Sequence, residues 1–163
     1  MEQVESLCTV LGDETRVCDA LAGVLRDEQR AVVELRPDAI LSCALERLAL
    51  QGELEQLTGR RRALVRDLAG RFGGDRAAGS VTALLPLLPP DPRSKVRTRV
   101  HALRRALLET RSLERQNDLL IGASLDHVGE TIRALAPLVP SARYDGGARL
   151  AAPASVEQVD RRV

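Results

Sequence analysis

The sequence predicts an all-α protein, an antiparallel bundle of about three long coiled-coil-like helices with a flexible C-terminal tail. One reason is composition: 44% of the 163 residues are hydrophobic, mostly Leu, Ala and Val, whereas aromatic residues make up 1%. Such chains favour helix–helix packing, since strands draw on aromatic and β-branched residues. The second reason is that apolar residues recur at steps of three and four, the spacing of one helix face. We expect the bundle in residues 1–140 and the tail in residues 141–163.

The first helix is predicted over about residues 2–35. Its apolar seam is interrupted at two positions, where Glu14 and Glu28 replace an apolar residue. A row of valines recurs every seven residues beside the seam and widens it enough to contact two partners, which favours a three-helix arrangement over a dimeric zipper. The seam consists of Val4, Leu7, Leu11, Cys18, Leu21, Leu25, Val32 and Leu35, and the neighbouring row of Val10, Val17 and Val24.

The second helix is predicted over about residues 37–71, because Pro37 disfavours helix at Arg36 and suits the first position of a new helix. Arg47 and Arg61 fall where the seam would place Leu. We expect their stems to cover apolar surface while the charged heads reach water. The seam consists of Ile40, Cys43, Leu50, Leu54, Leu57, Leu64 and Leu68.

A linker should separate the second helix from a third, predicted over about residues 93–138. The Gly73-Gly74 pair ends the second helix, because Gly accepts the left-handed cap conformation at low cost. A short helical turn over about residues 80–88 could then be capped by Ser80. The prolines that follow prevent that turn from continuing.

Charge is balanced overall at +1 but unevenly distributed. Residues 1–35 are net acidic and residues 93–115 are net basic. We expect this asymmetry to reflect attraction between helices, because no aromatic side chains accompany the arginines to stack nucleic-acid bases. The alternative is a nucleic-acid stripe formed by Arg97, Arg104, Arg111 and Arg115, which align on one helix face.

The cysteines, the first residues and the histidines limit the cellular compartment and the chemistry that the protein can have. Cys8, Cys18 and Cys43 are odd in number and lack CxxC spacing, which favours reduced, core-filling cysteines in a cytoplasmic protein. We expect neither secretion nor membrane spanning, since the first residues are acidic and no apolar run approaches ~20 residues. His101 and His127 have no metal ligands at suitable spacing, and no nucleotide-binding or hydrolase motif occurs. We therefore predict a binding protein with no catalytic residues, metal or cofactor.

The segment from Leu113 to Leu135 differs from the earlier helices, because polar residues occupy half of its expected seam. A face of this kind suits an interface that forms and dissolves, and a buried Asn117 could fix helix register. Gly122 and Gly129 stand seven apart on one face of this helix. They could form a shallow groove for a partner helix, or an intramolecular helix could fill the same groove.

These features resemble the FlgN family of flagellar type III export chaperones. The resemblance rests on a leucine-rich first helix with Glu28 late in it, on the stretch ERQNDLL at residues 114–120, and on Tyr144 followed by Gly147. It implies a cytosolic, cofactor-free chaperone that binds the C-terminal amphipathic helices of the hook-filament junction proteins, the first and third hook-associated proteins. The chaperone would prevent their premature assembly and deliver them to the export gate.

The same resemblance implies two sites. Tyr144 and Gly147 would dock to the cytosolic domain of the export-gate protein. A tyrosine beside a turn fits this role, because it combines a large ring with a hydrogen-bonding hydroxyl. The client-binding residues would be Asn117, Leu120, Ile121, Leu125, Val128, Ile132 and Leu135. The alternatives are a structural coiled-coil adaptor or a stalk-like component of a secretion apparatus, and a nucleic-acid binder.

Overall fold

The structure is a computed structural model that describes residues 2–73 and 80–136. Its elements are α1 (Glu2–Val33), α2 (Pro37–Arg71), α3 (Val81–Leu84), a 3-10 turn (Leu85–Leu87) and α4 (Pro90–Leu135). The described residues contain no strand, so the all-α prediction is confirmed. The chain divides into two compact units, Met1–Gly122 and Ala123–Val163. The predicted tail at residues 141–163 lies outside the described residues.

A tight turn joins α1 to α2. Leu35 adopts a left-handed backbone conformation with φ of 53°. The amide of Arg36 donates to the carbonyl of Ala31 (2.9 Å), and the amide of Leu35 donates to the carbonyl of Val32 (3.2 Å). These two bonds satisfy carbonyls at the end of α1, and Pro37 then opens α2. Leu35 therefore ends α1 instead of extending its seam, and its side chain is 77% exposed.

Two buried carboxylates set the register between α1 and α2. Glu14 is 1% exposed and accepts from Nε of Arg61 (2.8 and 2.9 Å) and from the Thr58 hydroxyl (3.0 Å). Glu28 is 2% exposed and accepts from Arg47 (3.4 Å). The residue numbers of each Glu–Arg pair sum to 75, as antiparallel neighbours require. Both arginine side chains stay partly exposed, at 30% for Arg47 and 22% for Arg61, and each head also contacts the glutamate that interrupts the facing seam, a pairing that was not predicted.

The connection between α2 and α4 completes the core. The Ser80 hydroxyl caps α3 by accepting from the amide of Ala83 (3.5 Å). Arg93 donates to the carbonyls of Leu88 (2.7 and 3.1 Å) and Pro86 (3.0 Å) and so fixes the end of the 3-10 turn. Helix α4 starts at Pro90, earlier than predicted, because first-turn prolines lack only N–H groups that have no intrahelical partner there. The main core contains Val4, Leu7, Leu11, Cys18, Val65, Leu68, Ala69, Val81, Leu84, Leu88, Val96, Leu103 and Ala106.

Attraction between the acidic α1 and the basic half of α4 stays a prediction, and it is not seen as close ion pairs of that sense among the described residues. The α1–α4 ion pair within residues 2–73 and 80–136 joins Arg26 to Glu109, the opposite sense to the one predicted. The aligned arginines of α4 are exposed and form no ion pair in the described part of the chain. The nucleic-acid alternative for these arginines stays a prediction.

The pairing of Glu14 with Arg61 gives a test of the register. Glu14→Ala should lower the free energy of unfolding by about 3 kcal/mol, because Arg61 would keep a partly buried charge with no counter-ion. Replacing both residues, with Glu14→Leu and Arg61→Met, should restore the free energy of unfolding to within about 1 kcal/mol of the parent protein. Urea unfolding followed by circular dichroism measures both. A double variant as unstable as the single one would contradict this account.

Candidate functional site

Helix α4 lies parallel to α1, and two buried polar side chains fix that arrangement. The Thr110 hydroxyl lies 3.1 Å from the carbonyl oxygen of Cys18, to which it donates. The Asn117 amide donates to the carbonyl oxygen of Leu25 at 2.9 Å. Both pairs are 92 residues apart in sequence, as expected for parallel helices in constant register. The phase of α4 is therefore set by hydrogen bonds as well as by apolar contacts.

Asn117 belongs to a buried junction of three helices. It is 1% exposed, and its amide also donates to Oε2 of Glu28 at 2.7 Å. Since Glu28 also accepts from Arg47 of α2, the carboxylate joins α1, α2 and α4. The expectation that a buried Asn117 fixes helix register agrees with this geometry. Contact of Asn117 with a client stays a prediction, and the structure places its side chain out of reach of solvent.

The remaining predicted client-binding residues differ in exposure. Leu120 and Ile121 are half-buried and belong to the unit Met1–Gly122. Four others belong to the unit that begins at Ala123, and each is exposed over 48% to 66% of its surface. We call these four the distal α4 face. They are Leu125 (66% exposed), Val128 (48%), Ile132 (62%) and Leu135 (52%).

The distal α4 face continues the apolar periodicity that the core of α4 begins. Its members follow steps of three and four, so one helix face carries all of them. An apolar stripe this long and this exposed is typical of a protein-binding surface.

The glycines of this helix have open space beside them. A Cβ built at Gly122 would have no heavy atom within 4 Å. At Gly129 the nearest atom would be Nη2 of Arg133 at 3.8 Å. Among the described residues, no intramolecular helix fills the predicted groove at either glycine. The approach of a partner helix to this backbone stays a prediction.

A groove of about 710 Å³ lies between α1, α2 and α4 inside the first unit. Cys18 lies at this groove, and burial raises the pKa of its thiol to about 11, with smaller contributions from the nearby carboxylates of Glu14, Asp19 and Glu114. Burial also raises the pKa of the Cys8 and Cys43 thiols. All three cysteines are therefore protonated near pH 7, the less reactive form of a thiol.

Within residues 2–73 and 80–136, no three His, Cys, Asp or Glu side chains form a group able to hold a metal ion. Over the same residues, no helix has the length and apolar character needed to cross a membrane. What the site offers is an exposed apolar helix face. Tyr144 and Gly147, predicted to dock to an export gate, lie outside the described residues.

Comparisons with known proteins gave one match. A family model described as FlgN protein matches residues 1–150 of the chain. The matched range includes the buried Asn117, the distal α4 face and the Tyr144 to Gly147 element. No curated protein and no solved structure matches the chain.

Stability measurements can separate structural from surface residues within the predicted site. Asn117→Ala should lower the free energy of unfolding by about 2 kcal/mol, because the buried carbonyl of Leu25 loses its donor and Glu28 loses one of two. Leu125→Ala should change it by less than about 0.5 kcal/mol, because the Leu125 side chain is already in water. Urea unfolding of the two variants tests the assignment. Equal losses would show that the distal α4 face is a packed surface.

Proposed function

Because the chain belongs to the FlgN family, which consists of flagellar export chaperones, we propose that it binds the C-terminal helices of hook-filament junction proteins. In this proposal it prevents their premature assembly and delivers them to the export gate. Family membership supports the general role, a chaperone of flagellar type III export that binds export substrates. The identity of the clients and the delivery step belong to the proposal.

The single observation that carries the client-binding proposal is the exposure of the distal α4 face. Four apolar side chains at three-four spacing can interdigitate with the apolar face of an amphipathic helix. Within the first unit the same face of α4 is not accessible to a client, because Thr110, Asn117 and the core residues on it are buried. Leu120 and Ile121 are half-buried, so they have less surface left for a partner.

The surroundings of the distal α4 face suit reversible binding. Asp126, His127, Glu130 and Arg133 are exposed on the opposite side of the same helix segment, so the segment is amphipathic. The polar side keeps the free protein hydrated, and an apolar stripe of only four side chains lets the contact dissolve. Binding then holds the client by mass action until a tighter or energised step removes it, and nucleotide hydrolysis by the chaperone is unnecessary.

Client binding can be tested with charge substitutions on matched positions of one helix. Val128→Asp and Ile132→Asp should each weaken binding of a junction-protein C-terminal peptide by about tenfold or more, because each places a carboxylate in an apolar contact. Ala134→Asp is the control, since Ala134 is exposed but lies outside the three-four series. Isothermal titration calorimetry gives the affinities, and circular dichroism checks helicity. Equal affinities for all three variants would exclude the distal α4 face as the client site.

Docking to the export gate is the part of the proposal that concerns Tyr144 and Gly147. Tyr144→Ala should weaken binding to the cytosolic domain of the export-gate protein while leaving client affinity unchanged, because the two contacts use different segments. Tyr144→Phe is the control that keeps the ring and removes only the hydroxyl. Surface plasmon resonance with gate domain and client peptide measures both affinities. A parallel loss of client binding would show that the two sites are not separate.

A further inference from the structure

Helix α2 is apolar on the side that faces away from the core as well as on the side that enters it. Leu41 (62% exposed), Leu45 (62%) and Leu48 (67%) form an exposed row with spacings of four and three. Leu48 lies nine residues, or two and a half turns, before the buried Leu57, so the two side chains point to opposite sides of α2. The client-binding proposal leaves this outer row unused.

The outer row continues into glycines. Gly52 and Gly59 follow Leu48 at steps of four and seven, so they lie on the same side of α2. A Cβ built at either glycine would have no heavy atom within 4 Å. Each glycine weakens the helix relative to Ala and receives no compensating contact from the residues that the structure describes. We call the three leucines and two glycines together the outer α2 face.

We propose that the outer α2 faces of two copies of this chain pair antiparallel across a two-fold axis level with residue 50. The axis relates residue n to residue 100 minus n, so Leu48 of one copy faces Gly52 of the other. Leu41 likewise faces Gly59. In both contacts a leucine side chain lies over a position with no side chain of its own. At these two positions the face is self-complementary in shape, as a two-fold interface requires, whereas the third leucine, Leu45, faces Glu55.

The charges beside the outer α2 face agree with the same axis. Asp38 comes level with position 62 of the second copy, beside Arg60. Both residues are exposed and form no ion pair within the residues that the structure describes. Opposite charges thus meet at both ends of the contact, where partly solvated ion pairs favour one orientation over the other.

A second copy fits this surface better than a foreign helix does. A foreign helix needs only an apolar strip, and it gives no reason for leucines at one end of the face and glycines at the other. The antiparallel pairing of two identical faces requires that arrangement, and it also places acidic positions opposite basic ones. The contact between the outermost charges would cover residues 38–60 of each α2, about 33 Å at 1.5 Å per residue.

Sedimentation velocity of the full chain over a wide concentration range tests the pairing. The parent protein should form a reversible dimer. Gly59→Leu should raise its dissociation constant by about tenfold or more, because the new side chain occupies the space taken by Leu41 of the second copy. Leu41→Asp should have a similar effect. Gly23→Leu is the matched control, because Gly23 of α1 also has no heavy atom within 4 Å of a built Cβ and lies outside the contact.

The glycine variant separates this geometry from unspecific association. If exposed apolar surface alone drove self-association, Gly59→Leu would strengthen the dimer, and that result would overturn the proposal. A parent protein that stays monomeric throughout would overturn it too, as would a dimer disrupted by Val128→Asp but insensitive to Gly59→Leu. None of these measurements involves a client, so their outcome is independent of the chaperone proposal.

A charge exchange tests the orientation of the two helices. Arg60→Glu alone should weaken the dimer, because it brings two acidic side chains together. Adding Asp38→Lys should restore the dissociation constant to within about threefold of the parent value, since the attraction is rebuilt with its sign exchanged. A double variant no tighter than the single one would overturn the antiparallel register. Circular dichroism confirms that each variant remains helical.

Discussion

The burial of two glutamates on one face of α1 is the constraint on which the arrangement of the helices depends. A buried carboxylate is costly unless charged or polar groups compensate for it, and the compensating groups must come from the neighbouring helices. Arg61 and Thr58 supply them to Glu14, and Arg47 and Asn117 supply them to Glu28. Sliding any of the three helices by one turn would leave at least one carboxylate without its partners. An all-leucine seam would hold the helices together but would tolerate such slippage.

Much of this register was present in the sequence as a pair of matching intervals. Glu14 and Glu28 interrupt one seam fourteen positions apart, and Arg47 and Arg61 interrupt the next seam at the same interval. Equal intervals can superimpose in either direction, and the short connection between α1 and α2 selects the antiparallel pairing. The prediction treated each arginine by itself, as a snorkelling side chain, and so missed the pairing. An opposite-charge interval shared by two seams is the signal that would have revealed it.

The candidate site shows what periodicity alone cannot predict. The three-four pattern of α4 was correctly read as one continuous face, yet Asn117 on it is 1% exposed and Leu125 is 66% exposed. Asn117 is buried because its amide contacts Leu25 and Glu28 of α1, and a three-four pattern does not say which of its positions will find such partners. The helix class could be predicted, whereas the division of α4 into buried and exposed parts needed the structure.

Scarcity of aromatic residues is consistent with the long, shallow contacts proposed for this chain. Interfaces usually concentrate their energy in Trp, Tyr and Arg anchors seated in pockets, but aromatic residues make up 1% of this sequence. Its exposed apolar surfaces are leucine, valine and isoleucine on helices, accompanied by glycines that have no close heavy-atom neighbour across the helix. Each aliphatic contact contributes little, so affinity must come from many positions in correct register. Such contacts can form along a helix and separate again without a single dominant anchor to extract, which suits a chaperone that must release what it binds.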